Sequence, residues 1–522
     1  MSTRIATGGR LLKKSNAVSF SFNGKQLRGF EGDTLASALL ANDQMLVGRS
    51  FKYHRPRGIV AAGPEEPNAL VNLGTAGQFE PNQRATTTEL FDGLNAESQN
   101  HWPSLEFDVG AINKYLSRFL PAGFYYKMFI HPRPFWKHVY EPIIRHSAGL
   151  GKAPREKDAD TYEHFYAFCD VLVIGGGVAG LEAARTAGRS GARVILLEQT
   201  DHWGGRAPVD GGAIEGTPVE SFVDTLVTEL STMNNVEMRT RVMGAGVYDH
   251  GYVLGYERLT DHAPQSTGPR HRLWRIRAGH IITATGAIER PLSFAGNDIP
   301  GVMLAASVRD YLVNYGVSVG DRTVVVTNND DAYRTAIALV EAGLSVPAVL
   351  DARVLPQDSP LMARAKELGI RVMMGHAISR VRGAKRVTAV EVCSQAGEGA
   401  VLETIACEAV AMSGGWAPVV HLWSHCGGKL IWDTKLATFR PDVDNPPLGA
   451  DGHGFVTAAG AAAGFFGLDD ILHDAHAAAD GVATTLGFKL PSDVASPNAG
   501  RQEEAPLTPV WLMPQGAGVK LR

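Results

Sequence analysis

The chain has 522 residues, 44% hydrophobic and 20% charged, with a formal net charge of −4, which fits a globular protein with several cores. A slightly acidic chain has no cationic excess to neutralise phosphates, so nucleic acid is excluded as the main partner. No stretch reaches the roughly eighteen apolar residues of a membrane span, and the first residues are basic without an apolar segment behind them, so no secretory signal is read and a cytoplasmic location is expected.

Residues 18 to 73 predict two alternating strands meeting at Asn23-Gly24, then a helix capped by Asp33 with Leu35, Leu39 and Leu40 on one face. That order resembles a plant-type ferredoxin or β-grasp module, which would carry its cluster on cysteines in the loop after the helix. Here the loop reads VGRSFKYHRPRGIVAAG, and the four cysteines of the chain, Cys169, Cys393, Cys407 and Cys426, lie elsewhere, widely spaced and without a CxxC pair. The expectation is a module lacking an iron-sulfur cluster, and four buried thiols. The loop interleaves Arg49, Lys52, His54, Arg55 and Arg57 with Phe51 and Tyr53; such a set either faces a subunit interface, the favoured reading, or holds a flavin phosphate. Residues 74 to 165 show no period and are rich in aromatics. A stretch of this kind wraps its own core or docks another chain, and docking is expected, with Trp102, Phe124, Tyr125, Tyr126 and Trp136 as candidate anchors.

The most informative stretch is Val171 to Arg206, VLVIGGGVAGLEAARTAGRSGARVILLEQTDHWGGR. A short apolar strand, Val171 to Ile174, leads into glycines spaced for a dinucleotide turn: Gly175 for the tight bend, Gly177 for close approach to a pyrophosphate, Gly180 for helix against strand. The helix, expected to begin at Gly180, presents its N-terminal amides and dipole to an anion. A second apolar run, Val194 to Leu197, ends at Glu198, placed to hold a ribose 2′-hydroxyl, which favours NAD or FAD over NADP. Val178 and Ala179 in the turn, Gln199 beside the acid, and Gly205 and Arg206 in the following glycine pair complete this part of the candidate set. An amphipathic helix, Val219 to Met233, and a strand, Val236 to Val242, come next, with Val242 expected by the adenine. HIITATGAIERP then supplies a strand and the small turn Ala284, Thr285, Gly286, similar to the ATG turn of flavoproteins with two dinucleotide domains.

A second pass follows, with a strand at Thr323 to Val326, a helix at Tyr333 to Ala342 and a strand at Val346 to Leu350. Its turn, TNNDDA, puts Thr327, Asn329 and Ala332 where glycines are needed and Asp330 and Asp331 between them. Side chains and like charge there predict a fold that has lost its dinucleotide. Residues 408 to 416 are expected to return to the first Rossmann unit. His421, His425 and Cys426 have no fourth partner at ligand spacing, so no metal site is assigned. GFVTAAGAAAG, with Gly460, resembles the last glycine turn of the fold before a closing helix, Asp469 to Leu486; a proline-rich strap ends the chain.

Taken together, GFEGDTLASALLAN, GRSFKYHRPRG, GFYYK, VIGGGVAGLEAA, ATGAIERPL, TNNDDAY and SGGWAPVVHL resemble the alpha subunit of heterotetrameric sarcosine oxidases. The resemblance implies an α/β fold: two Rossmann dinucleotide-binding domains, disulfide-reductase-like, behind a ferredoxin-like β-grasp module. The expected segments are 1–80 for the module, 81–165 for docking, 166–300 with 408–488 for the first Rossmann domain, 301–407 for the degenerate one, and 489–522 as linker. It further implies NAD (FAD as the alternative) on Gly175, Gly177, Gly180, Glu198, Ala284, Thr285 and Gly286, FMN at an interface, a flavin-bearing beta subunit with smaller subunits, and oxidation of sarcosine or a similar amine by the complex. The folate-binding domain that continues such alpha subunits has no counterpart here and is expected on another chain or outside this one. No catalytic residue is read in this chain. The competing readings are an FAD-containing oxidoreductase subunit of the opine or proline dehydrogenase kind, and a structural subunit with non-redox NAD.

Overall fold

The structure is a computed structural model that describes residues 3–6, 8–119, 123, 129–147, 151, 153–354, 359–500, 504 and 506–516. The chain forms two compact units. The first joins Met1–Ala159, Pro291–Gly414 and Val510–Arg522; the second joins Asp160–Arg290 and Gly415–Pro509.

In the first unit, β1 (Lys13–Phe22) and β2 (Lys25–Glu31) form the expected hairpin. Asn23 and Gly24 both adopt positive φ, as a tight hairpin turn matching strand twist requires. Helix α1 (Leu35–Ala41) is buried on every side, and its cap is Thr34 rather than Asp33: the Thr34 hydroxyl accepts the Ser37 amide. Asp33 is instead taken up by the Arg4 guanidinium at 2.7 Å and the Ser37 hydroxyl at 2.6 Å. Leu70–Leu73 forms β3, and the stretch without a legible period supplies β4 (Glu80–Arg84) and β5 (Asn95–Ser98), giving the sheet order β2-β1-β5-β3-β4 with β5 parallel to β1. These strands are too short for alternation to register, and they carry the module's sheet past residue 80.

Arg49, His54, Arg55 and Arg57 of the basic loop are half-buried or buried and bonded within the unit. Arg57 meets Asp298 at 2.7 Å, with Arg55 at 3.6 Å from the same carboxylate. Arg49 donates to the Leu105 carbonyl, and His54 lies 2.7 Å from Asp108. Of the aromatic anchors, Trp102 is exposed and Trp136 half-buried; Phe124, Tyr125 and Tyr126 lie outside the described residues.

The second unit opens with β6 (Tyr162–Ile174), α2 (Val178–Arg189), β7 (Val194–Leu197), α3 (Val219–Thr232), β8 (Val236–Arg239), β9 (Val242–Tyr248), β10 (Tyr252–Arg258) and β11 (His271–Thr283), followed by the short β12 (Ala287–Glu289). The sheet order is β8-β7-β6-β11-β10-β9, parallel through β11 and antiparallel beyond. The expected strand Val236 to Val242 is two strands, because Arg241 takes a left-handed φ of 60°. Val171, Val173, Leu196 and Ile282 pack under α2 and α3, while Leu172, Ile174, Leu197 and Trp274 make a second core toward the meander.

Back in the first unit, β13 (Val302–Leu304), α4 (Ala305–Tyr315), β14 (Thr323–Thr327), α5 (Asp331–Glu341), β15 (Val349–Asp351) and β16 (Val372–Met374) build a parallel sheet, flanked by the antiparallel β17 (His376–Gly383), β18 (Val387–Ser394) and β19 (Glu403–Ala406). Strand β20 (Ala409–Ser413) lies between β13 and β14. Residues 409–413 therefore belong to this unit, which corrects the expected return to the first Rossmann domain: all five are buried apolar or small residues suited to the middle of a parallel sheet. Tyr311, Tyr333 and Leu339 share one core with Phe20, Leu35 and Leu39 of the β-grasp module.

The second unit closes with β21 (Trp416–Pro418), paired to β12, the hairpin β22 (Leu430–Asp433) and β23 (Thr438–Pro441), strand β24 (Val456–Ala458) beside β11, and α6 (Leu468–Thr485). Among the described residues no helix is long and apolar enough to cross a membrane, and no group of three or more His, Cys, Asp or Glu is placed to hold a metal.

Candidate dinucleotide site

The site is built around the N-terminus of α2 in the second unit. Strand β6 ends at Ile174, and Gly175 turns the chain with φ 111°; a Cβ there would stand 2.2 Å from the Ala284 carbonyl oxygen. Gly180 is as constrained, since its Cβ would lie 1.7 Å from the Gly175 carbonyl. The helix starts at Val178, two residues earlier than the sequence suggested. Its N-cap is Gly177, with no side chain to satisfy the first-turn amides. Nothing but the Gly205 Cα, at 3.9 Å, comes near a Cβ built on Gly177. An uncapped helix terminus with space before it is an anion cradle made of backbone.

Around this cradle the chain returns repeatedly. Gly204 donates to the Gly176 carbonyl at 2.8 Å, bringing Gly205 over Gly177. Ala284 donates to the Ile174 carbonyl at 2.8 Å; Thr285 donates its hydroxyl to Val419, and Gly286 turns with φ 73°. Gly460, φ 63°, stands so close to the first turn of α2 that a Cβ would fall 2.6 Å from that of Ala179. Glu198 is buried at the end of β7, where Oε2 accepts the Gly176 amide at 2.7 Å and Oε1 accepts the Thr200 amide and hydroxyl. An ionised carboxylate has about four acceptor positions, so capacity for a ribose hydroxyl remains.

Gly175, Gly177, Val178, Ala179, Gly180, Glu198, Gly205, Ala284, Thr285, Gly286 and Gly460 are thus brought together. Arg206 stands at the edge, its guanidinium 5.1 Å from the Trp416 ring and 2.9 Å from Asp210. Gln199 is exposed, with its carbonyl accepting from Arg258. The Val242 side chain is in the meander core; only its amide, donating to the Glu198 carbonyl, touches the site's frame. Sequence reasoning missed Trp203, whose ring fills the space beside Gly176, and Asp474, whose Oδ2 accepts the Gly460 amide at 2.7 Å. Burial pushes the Asp474 carboxyl up to about 6. Neither had a spacing signal, since both act through folding rather than motif.

The turn of the second pass is filled. Thr327 and Asn329 bond to each other, and the Asn329 amide reaches Ser413. Asp330 is 2.7 Å from Arg353, which also holds Asp351 at 2.7 Å, with all three side chains fully buried. Asp331 meets Arg309 at 3.1 Å. Burial pulls the Arg353 pKa down, but the hydrogen bonds and charges of Asp351 and Asp330 outweigh it and hold the guanidinium charged.

With this geometry in place, the fold and the glycine turns agree with a match to a known family: the chain belongs to the pyridine nucleotide-disulphide oxidoreductase family, whose model matches residues 169–443. More closely, it is homologous to sarcosine oxidase alpha subunits. It is 45% identical over 506 residues to the sarcosine oxidase subunit alpha of Rhizobium meliloti (strain 1021), covering 97% of this chain and 49% of that one. To the same subunit of Corynebacterium sp. (strain P-1) it is 35% identical over 517 residues, covering 96% and 47%. The chain therefore spans about half the length of these relatives. The L-proline dehydrogenase from P. horikoshii shares the fold, with a TM-score of 0.60 at 19% identity over 94% of this chain and 77% of that one.

A further match corrects the cofactor expectation. Residues 15–101 fit the model of a 2Fe-2S iron-sulfur cluster binding domain, so the module is related to iron-sulfur proteins and the inferred set of NAD, FMN and no cluster does not stand. FMN has no support among the findings, and the dinucleotide domain points to FAD or NAD. The residues present do not fit a thiolate-held cluster, because 15–101 contain no cysteine. Cys169 and Cys407 are buried with thiols pushed up to about 12, and burial pushes Cys393 and Cys426 up to about 11. No step is drawn through a cluster.

Proposed function

We propose that this chain is the dinucleotide-binding part of an alpha subunit in a sarcosine oxidase-like complex, in which sarcosine or a similar N-methyl or secondary amine is oxidised on a flavin carried by a partner subunit. The observation that carries the reading is the uncapped N-terminus of α2 ringed by glycine turns. The amides after Gly177 hold the diphosphate, Gly175 and Gly180 keep the turn tight, and Glu198 accepts a ribose hydroxyl. Gly205, the Ala284 to Gly286 turn and Gly460 form the facing walls. Bound FAD or NAD would supply two-electron chemistry or a fixed structural element. The 45% identity to a sarcosine oxidase alpha subunit supports the choice of complex. The filled turn at 327–332 argues against a second nucleotide bound in the same manner, and hence against a self-contained relay of hydride between two cofactors.

The test is to purify the chain together with the other subunits, release the nucleotide by denaturation, identify it by absorbance and mass, and measure sarcosine-dependent oxygen uptake. The expected result is stoichiometric FAD or NAD in this chain and turnover by the assembly. A chain free of nucleotide overturns the site; nucleotide without amine oxidation by the assembled complex overturns the substrate class.

A further inference from the structure

The meander of the second unit has two unlike faces. Inward, Trp274, Ile276, Val253 and Val247 are buried in one core. Outward, the register aligns rows across four strands: Phe168, Arg277, Tyr252 and Tyr248; then Tyr166, Arg275 and Leu254; then His164, Leu273, Tyr256 and Met243. This face is open to solvent, with Tyr166 61%, Phe168 67%, Met243 45% and Tyr248 42% exposed. A contiguous aromatic sheet face of this kind is uncommon on a surface without a partner, and Tyr and Arg together are the composition of interface anchors.

Its charge has one sign. Arg275 and Arg277 sit among the aromatics, Arg275 donating to the Tyr166 hydroxyl at 2.5 Å and Arg277 lying 5.1 Å from the Tyr252 ring centre, and none of the outward positions in these rows is acidic. The nearby carboxylates are at the margins. Asp261 is held by Arg270 and His271, and Asp160 by Arg270, while Asp249 lies in the turn between β9 and β10. At that end Tyr248, Asp249, Tyr252, Arg277 and His425 line a cavity of about 460 Å³, large enough to receive a side chain from a partner.

We propose that this face is the docking surface for a partner subunit of the complex, and that the partner presents aliphatic side chains rimmed by carboxylates. The argument is charge complementarity: guanidiniums stacked on aromatic rings pair with carboxylates, and the apolar rows need apolar cover. A second copy of this chain would set arginine rows against arginine rows, which opposes self-association. The inference rests on the reading of the chain as one subunit of a hetero-oligomer.

Oxidative footprinting with mass spectrometry, on the full chain alone and in the assembled complex, tests it. Labelling of Met243, Tyr166 and Phe168 is expected to fall several-fold on assembly. The double variant Arg275→Glu/Arg277→Glu is expected to weaken assembly about tenfold or more while keeping the wild-type melting temperature, whereas Asp224→Lys on the exposed side of α3 leaves assembly unchanged. Equal labelling in both states, or wild-type assembly by the double variant, overturns the inference alone. Labelling lost by the isolated chain as its concentration rises assigns the face to a second copy and overturns it too. Failure of the wild-type chain to assemble with the other subunits overturns the proposed function as well.

Discussion

The turns at 175–180 and 327–332 occupy equivalent places, each between a parallel strand and a helix, yet one is an open cradle and the other a buried polar plug. In the first, glycine at the N-cap leaves the first amides of α2 without a side-chain cap, and only the Gly205 Cα comes near the position of a Gly177 Cβ. In the second, Asp330 and Asp331 occupy the turn themselves, and Arg353 and Arg309 pair with them from inside the unit. The lesson is that strand-turn-helix topology only offers an anion site; the side chains of the turn decide whether a ligand or the protein's own carboxylates fill it.

The largest expected effect is on the open turn. Gly180→Val forces a side chain into the Gly175 carbonyl, 1.7 Å from the Cβ position, and should abolish nucleotide retention, measured as nucleotide released per chain. On the closed turn, Asp330→Gly/Asp331→Gly should not create a site. It strips counter-charges from buried Arg353 and Arg309, so the first unit should lose on the order of 3–5 kcal/mol in denaturant titrations, with no nucleotide gained; gain of nucleotide would break the comparison. Glu198→Gln removes a charge-assisted acceptor while keeping shape, and should weaken dinucleotide binding by about tenfold, or roughly 1.4 kcal/mol, in a titration of nucleotide-stripped protein.

The smallest effect concerns pH. Burial raises the Asp474 carboxyl to about 6, above the ordinary Asp range near 4. A carboxyl raised on folding favours the folded state when protonated, so its contribution is fully present below pH 4 and is lost as pH rises through 6. Asp474→Asn keeps an acceptor for the Gly460 amide but cannot titrate. The difference in melting temperature between variant and wild type should shift in the variant's favour between pH 4 and 6 and stay flat above 7.

Much of the candidate site's geometry was legible because it is backbone chemistry written in local spacing: Gly175, Gly177, Gly180 and Glu198 lie within one strand-helix-strand unit. What escaped were partners set by long-range folding. Asp474 reaches Gly460 from a helix, and the β20 strand, read as returning to the nucleotide domain, is claimed by the other sheet through pairing that no local pattern encodes. The basic loop at Arg49 to Arg57 has intrachain partners that were illegible for a related reason. Its charges look unmatched in sequence because Asp298 and Asp108 arrive from distant segments.

The pairing of β12 with β21 bears on how such a chain can be assembled from gene segments. Glu289 lies opposite Trp416, and the Arg290 amide donates to the Gly415 carbonyl at 2.7 Å, so the chain leaves the second unit and re-enters it at neighbouring backbone positions. All of Pro291–Gly414 is then, topologically, cargo carried on the tip of a hairpin, the kind of point at which insertions are tolerated. Excising it and joining Arg290 to Gly415 through a turn of about two residues, such as Asn-Gly, would leave an ordinary hairpin. The exit and re-entry points thus coincide, so the frame of the candidate cradle is continuous across the segment threaded through it.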